Sequence, residues 1–420
     1  MSRFAIVGAG QSGLQLSVAL LQDGHEVTIY SDRTPEQIAC SQLPSSTWMG
    51  SRALDHERAL GLCLWEDKGP LSDAFYVRIG DPEGNVLVDW SARQQRYGQA
   101  VDQRVKYPTW MKIAEGLGAQ LVYRAVSVED LEDIHRAHDL TLIAAGRREL
   151  SGLFEVDRTR TQFRAPRRHI GMCAVTDVPH QDPPGVSYNL IPYVGEAFGV
   201  PAYTAAGSSI IWLMEAVPGG PMDRWDAARS GPACLETMLG ILQDFLPWEV
   251  ERHADAVLTD ANAYLCGQVQ PLVRKPIARL PSGACVVGLA DVVVLNDPCT
   301  GQGANNAAHH AAVMHRWVRE GGPFNEAWMQ RSFEEFWSYA QWPTRLTNTL
   351  IEDDIPMHVV QLLGRAAELP EIAQRFVHAF TAPQDLADWF FQPDKAFAYL
   401  DLVERRRAAF RTASAALTRV

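Results

Sequence analysis

The first apolar run, Phe4-Ala-Ile-Val, stops at Gly8, and the spacing of hydrophobic positions then changes. From Ser12 to Leu21 apolar residues recur at helical intervals (Leu14, Leu16, Val18, Leu20, Leu21). Asp23-Gly24 closes that segment, and Val27 and Ile29 alternate with polar neighbours up to Tyr30. A period of two on either side of a helical period predicts strand, helix, strand: the βαβ unit. Tyr76-Val-Arg-Ile79 and Val86-Leu-Val88 flank Gly80-Asp-Pro-Glu-Gly84, which predicts a hairpin between Phe75 and Val101. A helix is expected over Thr109 to Gly118, a strand at Gln120 to Tyr123, and a buried strand from Leu140 that ends on Gly146. His169 to Val217 reads as short strands with Pro and Gly breaks, an inserted antiparallel sheet. Gly220 to Ala256 reads as helix, Cys285 to Leu295 as a strand returning to the first sheet, and the chain beyond Gly303 as helical. The expected division is a discontinuous α/β domain over 1–165 and 265–315, an inserted sheet domain over 166–264, and a helical region over 316–420.

Gly8-Ala9-Gly10-Gln11-Ser12-Gly13 is a G-x-G-x-x-G turn set between the first strand and the first helix. The first glycine permits the tight turn, the second admits a pyrophosphate to the backbone, and the third lets helix and strand approach. The helix N-terminus then offers free N–H groups and a dipole to phosphate. This is a Rossmann-like dinucleotide site. At the end of the second strand, where an acid ordinarily holds the ribose hydroxyls, stands Ser31, followed by Asp32 and Arg33. A weakened grip on the adenosine ribose is expected there.

Charge narrows the partners. The 38 basic and 50 acidic residues among 420 leave a net charge of −12, which disfavours nucleic acid and anionic membrane. Seven scattered cysteines without a C-x-x-C pair fit a reducing compartment and predict neither a disulfide framework nor a metal site. No apolar run is long enough to span a bilayer, so a cytoplasmic protein is expected. His309-His310, inside an Ala-rich helix, are expected to be structural.

A second segment identifies the nucleotide. Val286-Val-Gly-Leu-Ala-Asp291 is followed by Asn296-Asp-Pro298-Cys-Thr-Gly301-Gln302-Gly303-Ala-Asn305 and a helix. This resembles the second FAD signature of the aromatic hydroxylase superfamily, with Ala290 in place of its glycine. The resemblance implies that Asp291 binds the ribityl chain. It also implies that the turn of Pro298, Gly301, Gln302, Gly303 and Asn305 presents N–H groups to the flavin. Arg104 falls where this superfamily uses an arginine to clamp FAD, and Val126 and Gly146 complete the expected cofactor set. After the central strand the superfamily's self-reducing members carry D-G; here Ala145 replaces the acid, followed by Gly146-Arg147-Arg148. With no second glycine fingerprint, the expectation is that FAD arrives already reduced, as FADH2.

Over nearly its whole length the chain is similar to the epoxidase components of styrene monooxygenases and indole monooxygenases. That resemblance implies a two-component enzyme served by a separate NADH:flavin reductase. Such enzymes form a C4a-hydroperoxyflavin from FADH2 and O2 and transfer its oxygen to the C=C bond of a small aromatic substrate. The cofactor carries the chemistry, so no catalytic side chain is nominated. Ser45, Thr47 and Met49 stand in the loop that lines the family's pocket, and Ser45 and Met49 match the indole type, as does the small Gly98. Indole is therefore the expected substrate, with styrene-like alkenes beside it; the assembly state leaves a homodimer open. Two other classes compete: a FADH2-dependent halogenase, whose W-x-W-x-I-P motif is missing here, and a non-catalytic FAD-binding protein. The basic run Arg405-Arg406-Arg407 is expected to be a solvated helix face, with reductase docking as the alternative.

Overall fold

Two sheets, the first buried on both faces and the second over its central strands, organise the molecule in the computed structural model, which describes residues 1–145 and 148–417. The first sheet has six strands in the spatial order Ile277–Arg279, Cys285–Gly288, Leu140–Ile143, Arg3–Val7, Glu26–Ser31 and Gln120–Tyr123. All pairings are parallel except at the Ile277–Arg279 edge. The central strands are apolar without alternation (Phe4-Ala-Ile-Val, Leu140-Thr-Leu-Ile) because helices cover both faces and leave no wet side. Helix Gln11–Gln22 buries nearly its whole length against helices Gln103–Gly116 and Gln302–Glu320.

The second sheet has nine strands, eight of them on the path Val257–Leu258, His169–Thr176, Gly207–Ala216, Gly195–Thr204, Gly185–Ile191, Ser72–Gly80, Val86–Val101, Trp48–Met49. Tyr264–Gln268, the ninth, also pairs with His169–Thr176. Its inner face carries Met172, Tyr188, Phe198, Val200, Ile211 and Leu213 under the C-terminal helices. Its outer face packs Trp212, Met214 and Ala197 on helix Gly231–Phe245. Register places Glu196 opposite Glu215, and Phe198 opposite both Leu213 and Tyr188.

Several sequence-derived boundaries move. The hairpin of Ser72–Gly80 and Val86–Val101 pairs with the second sheet, and Tyr264–Gln268 stays there too, so the sheets do not divide at 165 and 265. The helix predicted from Thr109 begins at Gln103, because the Asp102 side chain accepts the Arg104 N–H at 2.8 Å and caps it. The long helix expected over Gly220 to Ala256 is confined to Gly231–Phe245 and a short turn Pro247–Val250, Pro247 ending the first. Among the described residues no helix is long and apolar enough to cross a membrane.

Candidate active site

A cleft of about 340 Å3 opens at the carboxyl ends of the parallel strands, the place where open α/β sheets bind ligands. Gly8 has φ +121°, and a Cβ there would lie 2.6 Å from the Ala144 backbone. A Cβ on Gly13 would lie 2.1 Å from Gly8 O, so this glycine sets the helix–strand approach. A Cβ on Gly10 would meet no atom of the described residues within 4 Å, and Gly10 lines the cleft. No side chain caps the helix start at Gly10. Uncapped N–H groups beside open space are what a pyrophosphate needs.

Ser31, Asp32, Arg33 and Val126 line the same cleft. Ser31 Oγ donates to Arg33 O at 2.6 Å, which fixes the loop but uses the hydroxyl hydrogen locally. Arg124 and Tyr30 also line the cleft and were not singled out from sequence. The signal for Arg124 was position: it follows a parallel strand at the sheet's binding edge. Ser12 and the side chain of Gln11 are buried behind the turn, where Gln11 Nε2 donates to Glu57 Oε1 at 3.0 Å. Glu57 also takes a buried ion pair from Lys106, so two charges with almost no exposure brace the first helix. Burial holds the Glu57 carboxyl above its usual range despite Lys106. Arg104 does not line the cleft, whereas Gln103 does. The Arg104 guanidinium is committed to Asp102 at 2.7 Å and to Asp260 at 2.9 Å, which ties the loop before Tyr264–Gln268 to the first domain. Gly146 lies outside the described residues.

A second cavity of about 210 Å3 lies farther along, lined by Ser45, Thr47, Trp48, Asp291, Pro298, Gly301 and Gly303 among others. Asp291 faces this space, yet protein surrounds it closely enough to lift its carboxyl to about 6. Ala290 before it has φ +49°, a left-handed conformation that glycine would adopt without strain. Its N–H donates to His310 Nδ1 at 3.0 Å, and His310 stacks on Phe336 with ring centroids 3.8 Å apart. This buried histidine, neutral because burial pushes it down to about 3, is the anchor of the Asp291 turn. Gly301 is left-handed at φ +62° and leads into helix Gln302–Glu320, whose start has no side-chain cap. Gly303 has open space where a Cβ would be.

Gln302 turns its side chain inward, donating to Thr300 O and Phe380 O at 3.2 Å each. Asn305 bridges the turn to the loop of Ser45: Nδ2 donates to Gly301 O at 2.9 Å and Trp48 O at 3.0 Å, and Oδ1 accepts Gly50 N–H at 2.9 Å. Thr47, at φ +43°, donates from Oγ1 to Val101 O at 2.7 Å. Met49 and Gly98 are not among the residues lining these cavities. Met49 packs on Ala53, Leu54 and Ala308, with Sδ 3.0 Å from Lys106 Nζ. Gly98 is small because the Trp48 ring passes 2.8 Å from where its Cβ would be.

Beyond the second cavity is a narrow aromatic pocket whose walls include Trp48, Phe75, Tyr188, Phe198 and Phe380. Phe75 and Phe380 lie 4.6 Å apart, as do Tyr188 and Phe198, and Trp48 meets Phe75 edge-on at 5.5 Å. Among the described residues the Tyr188 hydroxyl and Trp48 Nε1 are buried without a hydrogen-bond partner. Five residues from scattered strands and a C-terminal helix make this wall, and no sequence motif joins them.

An extended dinucleotide fits this arrangement: a phosphate seat at Gly10, an acid at Asp291, and uncapped N–H groups at the Gly301 turn. A flavin ring over that turn would leave the aromatic pocket for a second, apolar molecule.

Comparison with known proteins finds relatives over nearly the whole chain. Residues 146–252 match the family described as styrene monooxygenase A putative substrate binding domain. Styrene monooxygenase StyA of Pseudomonas fluorescens is 27% identical over 403 residues, 94% of this chain and 96% of the relative. The StyA protein of a second Pseudomonas matches with the same identity and coverage. Among solved structures, the flavin-dependent brominase Bmp2 superposes with a TM-score of 0.66 at 11% identity, over 97% of this chain and 99% of that one. A mutant of Pseudomonas aeruginosa PqsL gives 0.60 at 14% identity, over 90% and 99%. These structural likenesses show the fold, a mixed α/β architecture with a parallel sheet and a helical C-terminal region.

Proposed function

Starting from a chain of the styrene monooxygenase type, we propose that it is a two-component, FAD-dependent monooxygenase that epoxidises the C=C bond of a small aromatic substrate, indole first and styrene-like alkenes second. Its FAD arrives reduced from a separate NADH:flavin reductase. Continuity of the cavities carries this reading. Pro44 lines both the nucleotide cleft and the second cavity, and Trp48, Pro298 and Gly301 line both the second cavity and the aromatic pocket. Bound reduced FAD supplies the oxygen-activating chemistry.

The chain's own residues bind, orient and exclude. Gly10 and the first helix seat the phosphates, and Asp291 receives the ribityl hydroxyls. The N-terminus of Gln302–Glu320 favours negative charge on a reduced ring. Trp48, Phe75, Phe198 and Phe380 hold an aromatic ring edge-on and keep water from the reacting atoms. Ala145 stands at the cleft where an acid would serve a nicotinamide, which supports delivery by a partner. The unpartnered Tyr188 hydroxyl favours indole, because an N–H can donate to its oxygen and a hydrocarbon cannot. A buried hydroxyl left unpaired costs about 1–3 kcal/mol, so satisfying it discriminates between the two.

The test is a panel of indole, styrene and thioanisole with a generic flavin reductase, analysed by chromatography. Oxygen-dependent indole oxidation with indigo formation is expected, and Tyr188→Phe is expected to lower kcat/KM for indole about tenfold while sparing styrene. Soluble protein that oxygenates none of the three refutes the activity. Rapid anaerobic reduction of its flavin by NADH without a reductase refutes the two-component reading.

A further inference from the structure

Beneath the turn that precedes Gly301 lies a set of buried acids that the proposed reaction does not use. Glu215 sits on strand Gly207–Ala216, on the same sheet face as Leu213, and is fully buried. Among the described residues neither of its carboxylate oxygens has a hydrogen-bond partner, and Asp297 Oδ2 has none either. Oxygens of Glu215 and Asp297 and the Cys299 sulfur all lie within 4.8 Å of one another. Asp297 Oδ1 is already used: it accepts the Cys299 N–H at 3.1 Å and caps the Pro298–Thr300 turn.

The neighbouring charges do not neutralise this pair. Arg168, at the start of the adjacent strand, is held bidentately by Glu196 at 2.7 Å per bond, and its Nη1 donates to Arg167 O and Ile351 O. Glu196, directly across from Glu215, is thereby matched. The remaining titratable groups facing the pair are the Tyr188 phenol and the Cys299 thiol, both held neutral by burial. Two carboxylates this close in a dry site cannot both ionise, and three orphan acceptors need a donor.

We propose that Glu215 is the positioning residue for the Pro298–Gly303 turn, acting through one proton that it shares with Asp297. The shared proton joins the substrate sheet to the turn from below, while Thr300 is held by Thr347 from helix Glu326–Leu350. Burial, then the adjacent Asp297 carboxyl, pushes Glu215 well above the ordinary carboxylate range. A raised folded value fixes the sign: the folded state keeps a proton that the unfolded chain releases. That stability is complete below the ordinary carboxyl range and is lost as pH rises through the folded value. Loss of the proton sets two charges against each other directly under the turn. The consequence for cofactor binding rests on the reading that this turn faces the flavin.

The test uses the full chain with Glu215→Gln, which keeps a donor to Asp297, and Glu215→Leu, which does not. Infrared spectra of the wild type at neutral pH are expected to show a buried protonated carboxyl band that both variants lack. The wild-type folding constant is expected to fall up to tenfold more per pH unit than that of Glu215→Gln across this range. Oxidised FAD, titrated by fluorescence quenching, is expected to bind Glu215→Gln within threefold of the wild type at neutral pH and Glu215→Leu at least tenfold more weakly. Should neither variant fold, the wild-type infrared titration and Asp297→Asn decide the matter. Identical carboxyl spectra in wild type and variants overturn the proposal, as does a stoichiometric metal ion, measured by mass spectrometry, that is lost with Glu215. If the band and the pH slope behave as expected but FAD affinity is indifferent to Glu215→Leu, the shared proton stands and the flavin assignment of the turn fails.

Discussion

Replacing Gly10 by alanine and, in a separate protein, Gly13 by alanine adds the same methyl group at two places in one turn. At Gly10 the backbone is extended (φ −95°, ψ −168°), so alanine fits without strain. Losing a glycine from the helix N-cap costs up to about 1 kcal/mol, and the stiffer unfolded chain returns about 0.4–1 kcal/mol. Stability without flavin is therefore expected to change by less than about 0.5 kcal/mol. The methyl group meets none of the described residues at a position that lines the cleft, and FAD affinity is expected to fall at least tenfold, about 1.4 kcal/mol. At Gly13 the obstacle is a backbone oxygen 2.1 Å away, which cannot rotate aside. Overpacking there is expected to cost about 1–3 kcal/mol in the flavin-free protein, with binding lost as well. Urea unfolding of the apoprotein and FAD titration give the two quantities independently. If both variants lose the same stability, or if Gly10→Ala binds FAD like the wild type, the open space at Gly10 is not the phosphate seat.

Two further outcomes follow from buried charge. Lys106→Met leaves Glu57 buried without its cation and is expected to cost about 3–5 kcal/mol in urea unfolding; a loss under about 1 kcal/mol would contradict the bracing role. His310 is neutral in the fold down to about pH 3, whereas the unfolded chain protonates near its ordinary value of 6.5. Its stabilisation is present above 6.5 and drains as pH falls toward 3, at up to about 1.4 kcal/mol per pH unit. His310→Gln is expected to remove one proton from that acid slope, and an unchanged slope would show that the imidazole titrates normally.

The backbone-driven part of the site was legible in the sequence and the side-chain-driven part was not. Gly8 and Gly13 declare themselves because each answers a steric demand that no other residue meets, and Gly301 because its backbone is left-handed, whereas Gly10 and Gly303 are open positions read from their spacing in the motif. The family resemblance pointed to the loop of Ser45, but residue type alone could not tell that Met49 turns away to Lys106 or that Gly98 yields to Trp48. Phe75, Phe198 and Phe380 look like ordinary core positions; only the pairing of distant strands and a C-terminal helix brings them together. Glu196 and Glu215 did leave a trace. Each places an acid in an otherwise apolar alternation, Glu196 with Phe198 and Val200, Glu215 with Leu213 and Ile211. Such an interruption marks a buried charge whose partner has to be found elsewhere in the fold.

Pro44 belongs to the walls of both the nucleotide cleft and the cavity beside Asp291. On the proposed reading, two stretches of one bound cofactor therefore meet at one codon. If that reading holds, a library that varies residue 44 will select, unasked, on how long the flavin stays, whatever substrate it is screened with. Hits from such a screen would have to be ranked at saturating flavin before any gain is credited to the substrate.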